Sequence, residues 1–146
     1  MQKSSNPQRN LKTKVVLVGG CFDILHYGHI YFLKKAKNLG DLLIVALESD
    51  ENTKKLKGLK RPIHTQKQRA EMLKALKFVN KVISLPPIPD YRLLTKNEKP
   101  DIIACDPEDM LLKNREVYES LGAKIVVIPK IKTPSTTQIA KLLKLE

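Results

Sequence analysis

The chain has 146 residues, 42% of them hydrophobic, and a formal net charge of +12. This length and composition fit one domain with a buried core, and no apolar run reaches the roughly 18 residues that a membrane-spanning helix needs. Residues 1–10 are polar and charged, unlike a signal peptide, and there are only two cysteines, Cys21 and Cys105, so we expect a cytoplasmic protein with reduced thiols and no membrane partner.

Five apolar runs suited to buried parallel strands alternate with segments of helical spacing. The runs are residues 15–18, 42–47, 81–85, 102–104 and 125–128. Because strands and helices alternate along the chain, we expect an α/β fold, a Rossmann-like, doubly wound parallel five-stranded sheet with helices on both faces. Residues 1–13 are predicted to form a flexible polar N-terminal tail, and residues 14–146 a single domain.

Four helices are predicted between and after these strands. In chain order they are residues 30–39, a segment with the apolar stripe Met72, Leu73, Ala75 and Leu76, residues 109–121 stopped by Gly122, and a C-terminal helix capped by Ser135 or Thr136. The spacing places Arg69 on the polar side of the second helix. It predicts that Ile139, Leu142 and Leu143 of the last helix face the core.

The stretch Gly19-Gly20-Cys21-Phe22-Asp23-Ile24-Leu25-His26-Tyr27-Gly28-His29 joins the first predicted strand to the first helix. Free backbone N–H groups and the dipole at a helix start favour a bound anion. His26 and His29 are three residues apart and therefore project from one face, where both can donate hydrogen bonds to one phosphoryl group. In a doubly wound sheet this stretch lies at the crevice where the strand order reverses and ligands bind.

Other interpretations of this stretch stay open. The two histidines could simply cap the helix, and Cys21, His26, His29 and Asp23 are possible zinc ligands, although their spacing fits no common structural zinc pattern. Asp23 is otherwise interpreted as a turn-forming or hydrogen-bonding residue. Neither G-x-x-x-x-G-K-[ST] nor G-x-G-x-x-G occurs, which argues against a P-loop kinase and a dinucleotide-dependent dehydrogenase.

The positive charge is concentrated between Lys54 and Lys77. This segment holds nine Lys or Arg residues and one acidic residue, Glu71. A solvated lysine-rich surface is the simplest interpretation. The functional interpretation is attraction of a polyanion, for which a nucleoside triphosphate is favoured over nucleic acid.

The 19–29 stretch resembles the signature of the cytidylyltransferase-like nucleotidyltransferases, Gly-(Thr/Cys/Val)-Phe-Asp-x-x-His-x-Gly-His, and the resemblance extends from Val15 to about Leu143. The pattern is most similar to sugar-phosphate adenylyltransferases of the ADP-heptose synthase type, archaeal FAD synthetases and glycerol-3-phosphate cytidylyltransferases. Class I aminoacyl-tRNA synthetases carry a similar His-x-Gly-His but need several further domains. The resemblance implies transfer of a nucleoside monophosphate unit from ATP or CTP to a sugar phosphate, flavin mononucleotide or glycerol phosphate, with release of pyrophosphate. It also implies Mg²⁺ and a homodimer.

The same resemblance assigns roles to individual residues. It implies that His26 and His29 are catalytic and contact the α- and β-phosphate oxygens, and that Lys57 and Arg69 are the cations near the reacting phosphates. The residues it implies for nucleotide binding are Gly20, Cys21, Phe22, Asp23, Gly28, Asp106, Ser135, Thr136 and Thr137. No protein residue is predicted to be a metal ligand or to form a covalent intermediate.

The chain departs from the family pattern at two places. Lys132 and Pro134 stand where the family usually has arginine and then glycine, and residues 104–109 read Ala-Cys-Asp-Pro-Glu-Asp instead of Gly-x-Asp followed by an aromatic residue or glutamine. These departures leave a non-catalytic nucleotide- or nucleic-acid-binding module on the same fold as the alternative. The sequence does not choose between ATP and CTP, nor among the acceptors.

Overall fold

The computed structural model of the protein describes residues 12–145. Most of the predicted N-terminal tail, residues 1–11, therefore lies outside the described residues. Of its remainder, Lys12 contacts the domain, because its Nζ lies 2.8 Å from Oδ1 of Asp101.

Five parallel strands form one sheet in the order β3-β2-β1-β4-β5. They are β1 Val15–Gly20, β2 Leu42–Leu47, β3 Lys81–Ser84, β4 Ile102–Cys105 and β5 Lys124–Val127. The chain runs outward from β1 to β3, then returns past β1 to β4 and β5. The predicted doubly wound sheet is thus confirmed, and its strand order reverses between β1 and β4.

In the described part of the chain, six α-helices and one short 3₁₀ helix connect and follow the strands. They are α1 Tyr27–Lys37, α2 Asp50–Lys57, α3 Gln66–Lys74, α4 Tyr91–Glu98, the 3₁₀ helix Met110–Asn114, α5 Arg115–Ser120 and α6 Thr136–Leu142. Within residues 12–145, no helix has the length and apolar character needed to cross a membrane.

Alternate residues of each strand point to opposite faces of the sheet, and each face has its own core. Val16 and Val18 pack with Leu33 of α1 and Leu73 of α3 in one cluster. Leu17, between the two valines, packs in a second cluster with residues such as Leu94 of α4 and Tyr118 of α5. Helices therefore cover both faces, as the alternation of strands and helices predicts.

Helices α2 and α4 were not predicted from apolar spacing. Thr53 is the buried residue of α2, which otherwise consists mostly of charged and polar residues. Its start is marked instead by Ser49, whose side chain accepts a hydrogen bond from the N–H of Asn52. Asp90 caps α4 in the same way, through the N–H of Leu93.

Two expectations about the later helices are wrong. The predicted single helix over residues 109–121 is a 3₁₀ helix followed by α5, because Asn114 leaves the helical region with φ −116° and ψ 26°. Gly122 does lie just past the end of α5, as predicted, and has φ +92°. In α6, Leu142 and Leu143 are 79% and 60% exposed, so they do not face the core, and Ala140 is the residue that the helix buries.

Candidate active site

A cavity of about 320 Å³ opens at the carboxyl ends of β1 and β4, where the strand order reverses. Of the thirteen site residues predicted from the sequence, twelve line it. They are Gly20, Cys21, Phe22, Asp23, His26, Gly28, His29, Lys57, Asp106, Ser135, Thr136 and Thr137. Gly20 and Thr137, which are 117 positions apart in the chain, therefore line one space, and Arg69 is the predicted residue that does not line it.

His26 begins helix α1 as its N-cap. Its Nδ1 accepts a hydrogen bond from the backbone N–H of Gly28 at 3.0 Å. A ring nitrogen that accepts carries no proton, so neutral His26 holds its proton on Nε2. Helix capping and ligand binding are therefore compatible, because the cap fixes the tautomer that has a donor at Nε2.

His29 stacks on His26 with ring centroids 3.9 Å apart and an interplanar angle of 29°. The edge of the Phe22 ring packs against His29 from another direction, at a centroid distance of 5.3 Å. Within residues 12–145, Nδ1 of His29 is buried and has no hydrogen-bond partner. An unpartnered buried polar atom is unfavourable. The His29 residue itself lines the cavity.

The surroundings of both histidines disfavour the protonated ring. Burial lowers the pKa of His29 from its ordinary 6.5 to about 3, and the nearby His26, Lys57 and Arg61 act in the same direction. Burial also lowers the pKa of His26. The pair can thus supply hydrogen bonds to an anion, while positive charge comes from the lysine and arginine side chains around them.

The low pKa of His29 predicts a loss of stability in acid. Between pH 6.5 and about 3, the unfolded chain binds a proton at His29 that the folded protein does not. In that window His29 lowers the free energy of unfolding by about 1.4 kcal/mol per pH unit as the pH falls. Urea unfolding of the wild type and His29→Asn at several pH values measures this difference. Parallel stability curves for the two proteins would contradict it.

The glycines of the motif make room for the protein's own aromatic rings. A Cβ added to Gly28 would lie 2.8 Å from Cε1 of His26, and one added to Gly20 would lie 2.8 Å from Cε2 of Phe22. Side chains at these two positions would therefore displace the rings that form the cavity wall. Close approach of the nucleotide to the Gly20 and Gly28 backbone stays a prediction.

Asp23 lines the cavity, but its carboxylate is bonded to protein groups. It accepts hydrogen bonds from Arg61 Nε at 2.7 Å, from the N–H of Ile63 at 2.8 Å and from the N–H of His64 at 3.1 Å. Burial raises the pKa of Asp23, but these hydrogen bonds outweigh burial and hold the pKa below its ordinary value. The hydrogen-bonding role predicted for Asp23 is found. The described part of the chain shows no cluster of three or more His, Cys, Asp or Glu residues placed to hold a metal ion.

Arg69 is buried, so its predicted place on the polar side of its helix is wrong. It is 1% exposed, and its guanidinium donates to four oxygen atoms. These are Cys21 O at 2.6 Å, Glu48 O at 3.0 Å, His64 O at 3.0 Å and Asp50 Oδ1 at 2.8 Å. Arg69 therefore joins the ends of β1 and β2 to the start of α2. Its catalytic role stays a prediction, and direct contact with the reacting phosphates is not supported by its position.

The remaining predicted residues lie at the ends of elements. Lys57 is the last residue of α2 and lines the cavity. Ser135 is the N-cap of α6, with its Oγ accepting from the N–H of Gln138 at 3.2 Å, and the hydroxyl of Thr136 donates to the carbonyl of Asp23 at 3.1 Å. Asp106 follows β4 and accepts from the N–H of Glu108 at 2.8 Å.

The structure adds cavity residues that the sequence interpretation missed, among them Arg61, Asp109, Lys130 and Thr133. Lys130 follows β5 and pairs with Glu108 across the rim, Nζ to Oε2 at 2.8 Å. Lys132 and Pro134, where the sequence departs from the family pattern, do not line the cavity. This loop thus brings Lys130 to the site, and a basic residue two positions after the predicted strand was the available signal.

The model of the family described as cytidylyltransferase-like matches residues 17–142. The chain is 43% identical over 133 residues to an FAD synthase of Pyrococcus abyssi, covering 88% of this chain and 89% of that protein. It is 42% identical over 134 residues to the bifunctional protein HldE of Campylobacter concisus, covering 91% of this chain but 28% of that protein. Among solved structures, the lipopolysaccharide core biosynthesis protein of Thermoplasma volcanium superposes with a TM-score of 0.71 at 28% identity, covering 84% of this chain and 99% of that chain.

Proposed function

Since this chain belongs to the cytidylyltransferase-like family and is a nucleotidyltransferase, we propose that it transfers the adenylyl group of ATP to the phosphate of flavin mononucleotide (FMN) and releases pyrophosphate. FAD is FMN joined to adenylate, so the identity to FAD synthases supports this donor and this acceptor. The comparisons give no support to a non-catalytic module on the same fold. The reaction class rests above all on the stacked pair His26 and His29, which lines the cavity.

In this reaction an acceptor phosphate oxygen attacks the α-phosphorus while pyrophosphate leaves in line. The protein has to position the two substrates and stabilise charge on the phosphoryl oxygens. We assign Nε2 of His26 and the imidazole of His29 to those oxygens, because both residues line the cavity. Lys57 and Lys130 lie on the same cavity and neutralise the charge of the substrates.

Mg²⁺ belongs to this proposal as the partner of the triphosphate. The carboxylates of Asp106 and Asp109 line the cavity, and one or two carboxylates together with substrate phosphates are a usual ligand set for Mg²⁺. When bound, the ion would neutralise charge on the phosphate oxygens. We also propose a homodimer, on the family resemblance alone.

A sugar phosphate is the second candidate acceptor. It is favoured by the 42% identity to HldE and by the fold shared with a lipopolysaccharide core biosynthesis protein. Residues 49–62, which include Lys57 and Arg61, resemble the region after the second strand in sugar-phosphate adenylyltransferases. The third candidate pair is CTP as the donor and glycerol 3-phosphate as the acceptor, in which case a cytidylyl group is transferred.

Pyrophosphate release tests the proposal and chooses the acceptor. The purified chain is incubated with Mg²⁺, with ATP or CTP, and with FMN, a sugar 1-phosphate or glycerol 3-phosphate. Release with ATP and FMN, accompanied by FAD, is the expected result. Release with ATP and only the sugar phosphate would replace FMN by the second candidate. Absence of release with every pair would contradict the proposal.

Lys130→Ala is expected to raise the KM for ATP about tenfold, because it removes one of the cations that line the cavity. Lys132→Ala is the matched control, since Lys132 is exposed, lies two residues away and does not line the cavity. Steady-state kinetics with a saturating acceptor measure both variants. Equal KM values for the two variants would contradict the role given to Lys130.

A further inference from the structure

The carboxylate of Asp23 is buried in protein contacts, although the residue lines the cavity. Its side chain is 0% exposed and that of its partner Arg61 is 1% exposed. Oδ2 accepts from Arg61 Nε and from the N–H of Ile63, and Oδ1 accepts from the N–H of His64. Both oxygens thus bind the segment 61–64, and Arg61 in this segment lines the cavity.

The segment 61–64 is held from a second side by Arg69. The N–H of His64 donates to Asp23, while the C=O of His64 accepts from Nε of Arg69 at 3.0 Å. One peptide segment is therefore fixed between a buried carboxylate and a buried guanidinium. Hydrogen bonds to charged groups are stronger than neutral ones, so this arrangement defines the place of Arg61 at the cavity wall.

The backbone of Asp23 reaches a third segment of the site. Its carbonyl accepts from the hydroxyl of Thr136, the first residue of α6, at 3.1 Å. The 19–29 stretch, the segment 61–64 and the start of α6 therefore meet at this one residue.

We infer that Asp23 is a positioning residue, which sets Arg61 and the segment 61–64 for the reaction and does not itself contact the nucleotide. The inference rests on the proposed function, because the reaction supplies its kinetic readout. A positioning residue that acts through Arg61 has no effect of its own once Arg61 is removed. A direct contact with the nucleotide would instead persist in the absence of Arg61.

A double-mutant cycle tests this difference. Asp23→Asn and Arg61→Gln are each expected to lower kcat/KM by about a hundredfold, and the double variant to lie within about threefold of Arg61→Gln. The two single changes should alter the same parameter, either kcat or one KM. The inference would be overturned if the losses of the two single variants multiplied in the double variant, or if one change altered kcat and the other altered a KM. So would an Asp23→Asn protein with reduced thermal stability but unchanged kcat/KM.

Asp101→Asn is the matched control for this cycle. Asp101 also accepts hydrogen bonds from a cation, Lys12, and from a backbone N–H, that of Val15, but it has one backbone partner fewer than Asp23 and lies at the opposite end of the strands. We expect its kcat/KM to equal that of the wild type. Asp23→Glu, which keeps the charge, should recover part of the activity lost in Asp23→Asn. No recovery would overturn the inference.

Amide hydrogen exchange separates failure of this inference from failure of the proposed function. In Asp23→Asn the amides of Ile63 and His64 should exchange at least about tenfold faster than in the wild type, whatever the substrates are. Unchanged exchange would overturn the inference even in an active enzyme. Faster exchange in a chain without nucleotidyl transfer would instead mean that the proposed function fails while the contacts of Asp23 hold the segment.

Discussion

His29→Ala is expected to lower kcat by about a thousandfold, since it removes a pre-positioned donor from the phosphoryl group. The ring of His29 is held between His26 and Phe22, and its Nδ1 has no protein partner within residues 12–145. A ring that is fixed in place and lines the cavity suits a group that stabilises a transition state. The loss should appear in kcat rather than only in the KM for ATP.

His29→Asn gives the conservative comparison. The side-chain amide nitrogen of asparagine can occupy about the same position as Nδ1 of histidine and donates a hydrogen bond. We therefore expect His29→Asn to retain more activity than the alanine variant. Single-turnover kinetics and ATP binding are measured on all three proteins, with thermal unfolding to show that each is folded. A folded His29→Ala protein with a kcat within tenfold of the wild type would contradict the assignment.

Arg69→Ala is expected to lower the free energy of unfolding by about 3–5 kcal/mol, as is typical when one partner of a buried charged network is removed. The change deprives the carbonyls of Cys21, Glu48 and His64 of their donor. These carbonyls lie at the ends of β1 and β2 and in the segment 61–64, so the cavity should lose its shape along with the stability.

Urea unfolding measures this loss, and Lys74→Ala is the control on the same helix. Lys74 is exposed, so its replacement should change the free energy of unfolding by less than about 0.5 kcal/mol. A drop in kcat/KM for Arg69→Ala with unchanged stability would contradict the structural role. It would support the direct catalytic role that the sequence resemblance implies.

The sheet was predictable from the sequence because its strands are nearly continuous apolar runs. β2 was located to the residue at Leu42–Leu47, and the other strands differ from their predicted bounds by one or two residues. The motif at 19–29 then placed the site, because the turn between a parallel strand and the following helix lies at the carboxyl edge of the sheet, where ligands bind. For residues 19–29, the local sequence pattern and the overall fold therefore lead to the same position for the site.

Features that depend on long-range contacts were not predictable. Arg69 has the sequence environment of an exposed helix residue, and its burial follows from acceptors up to 48 residues away. Helix α2 has no apolar stripe because it buries little more than Thr53, so its caps were its only local signal. Leu142 fits helical spacing, yet α6 packs mainly through Ala140. Hydrophobic periodicity indicates which face can be buried, not whether a partner covers it.

The fate of the α-phosphate distinguishes nucleotidyl transfer from hydrolysis of ATP. The chain is incubated with Mg²⁺, FMN and ATP labelled either at the α-phosphorus or at the γ-phosphorus, in parallel with His29→Ala. We expect the α label to appear in FAD and the γ label in pyrophosphate, and we expect the variant to form neither product. Release of the γ label as inorganic phosphate, or α-label transfer that persists in folded His29→Ala, would contradict it.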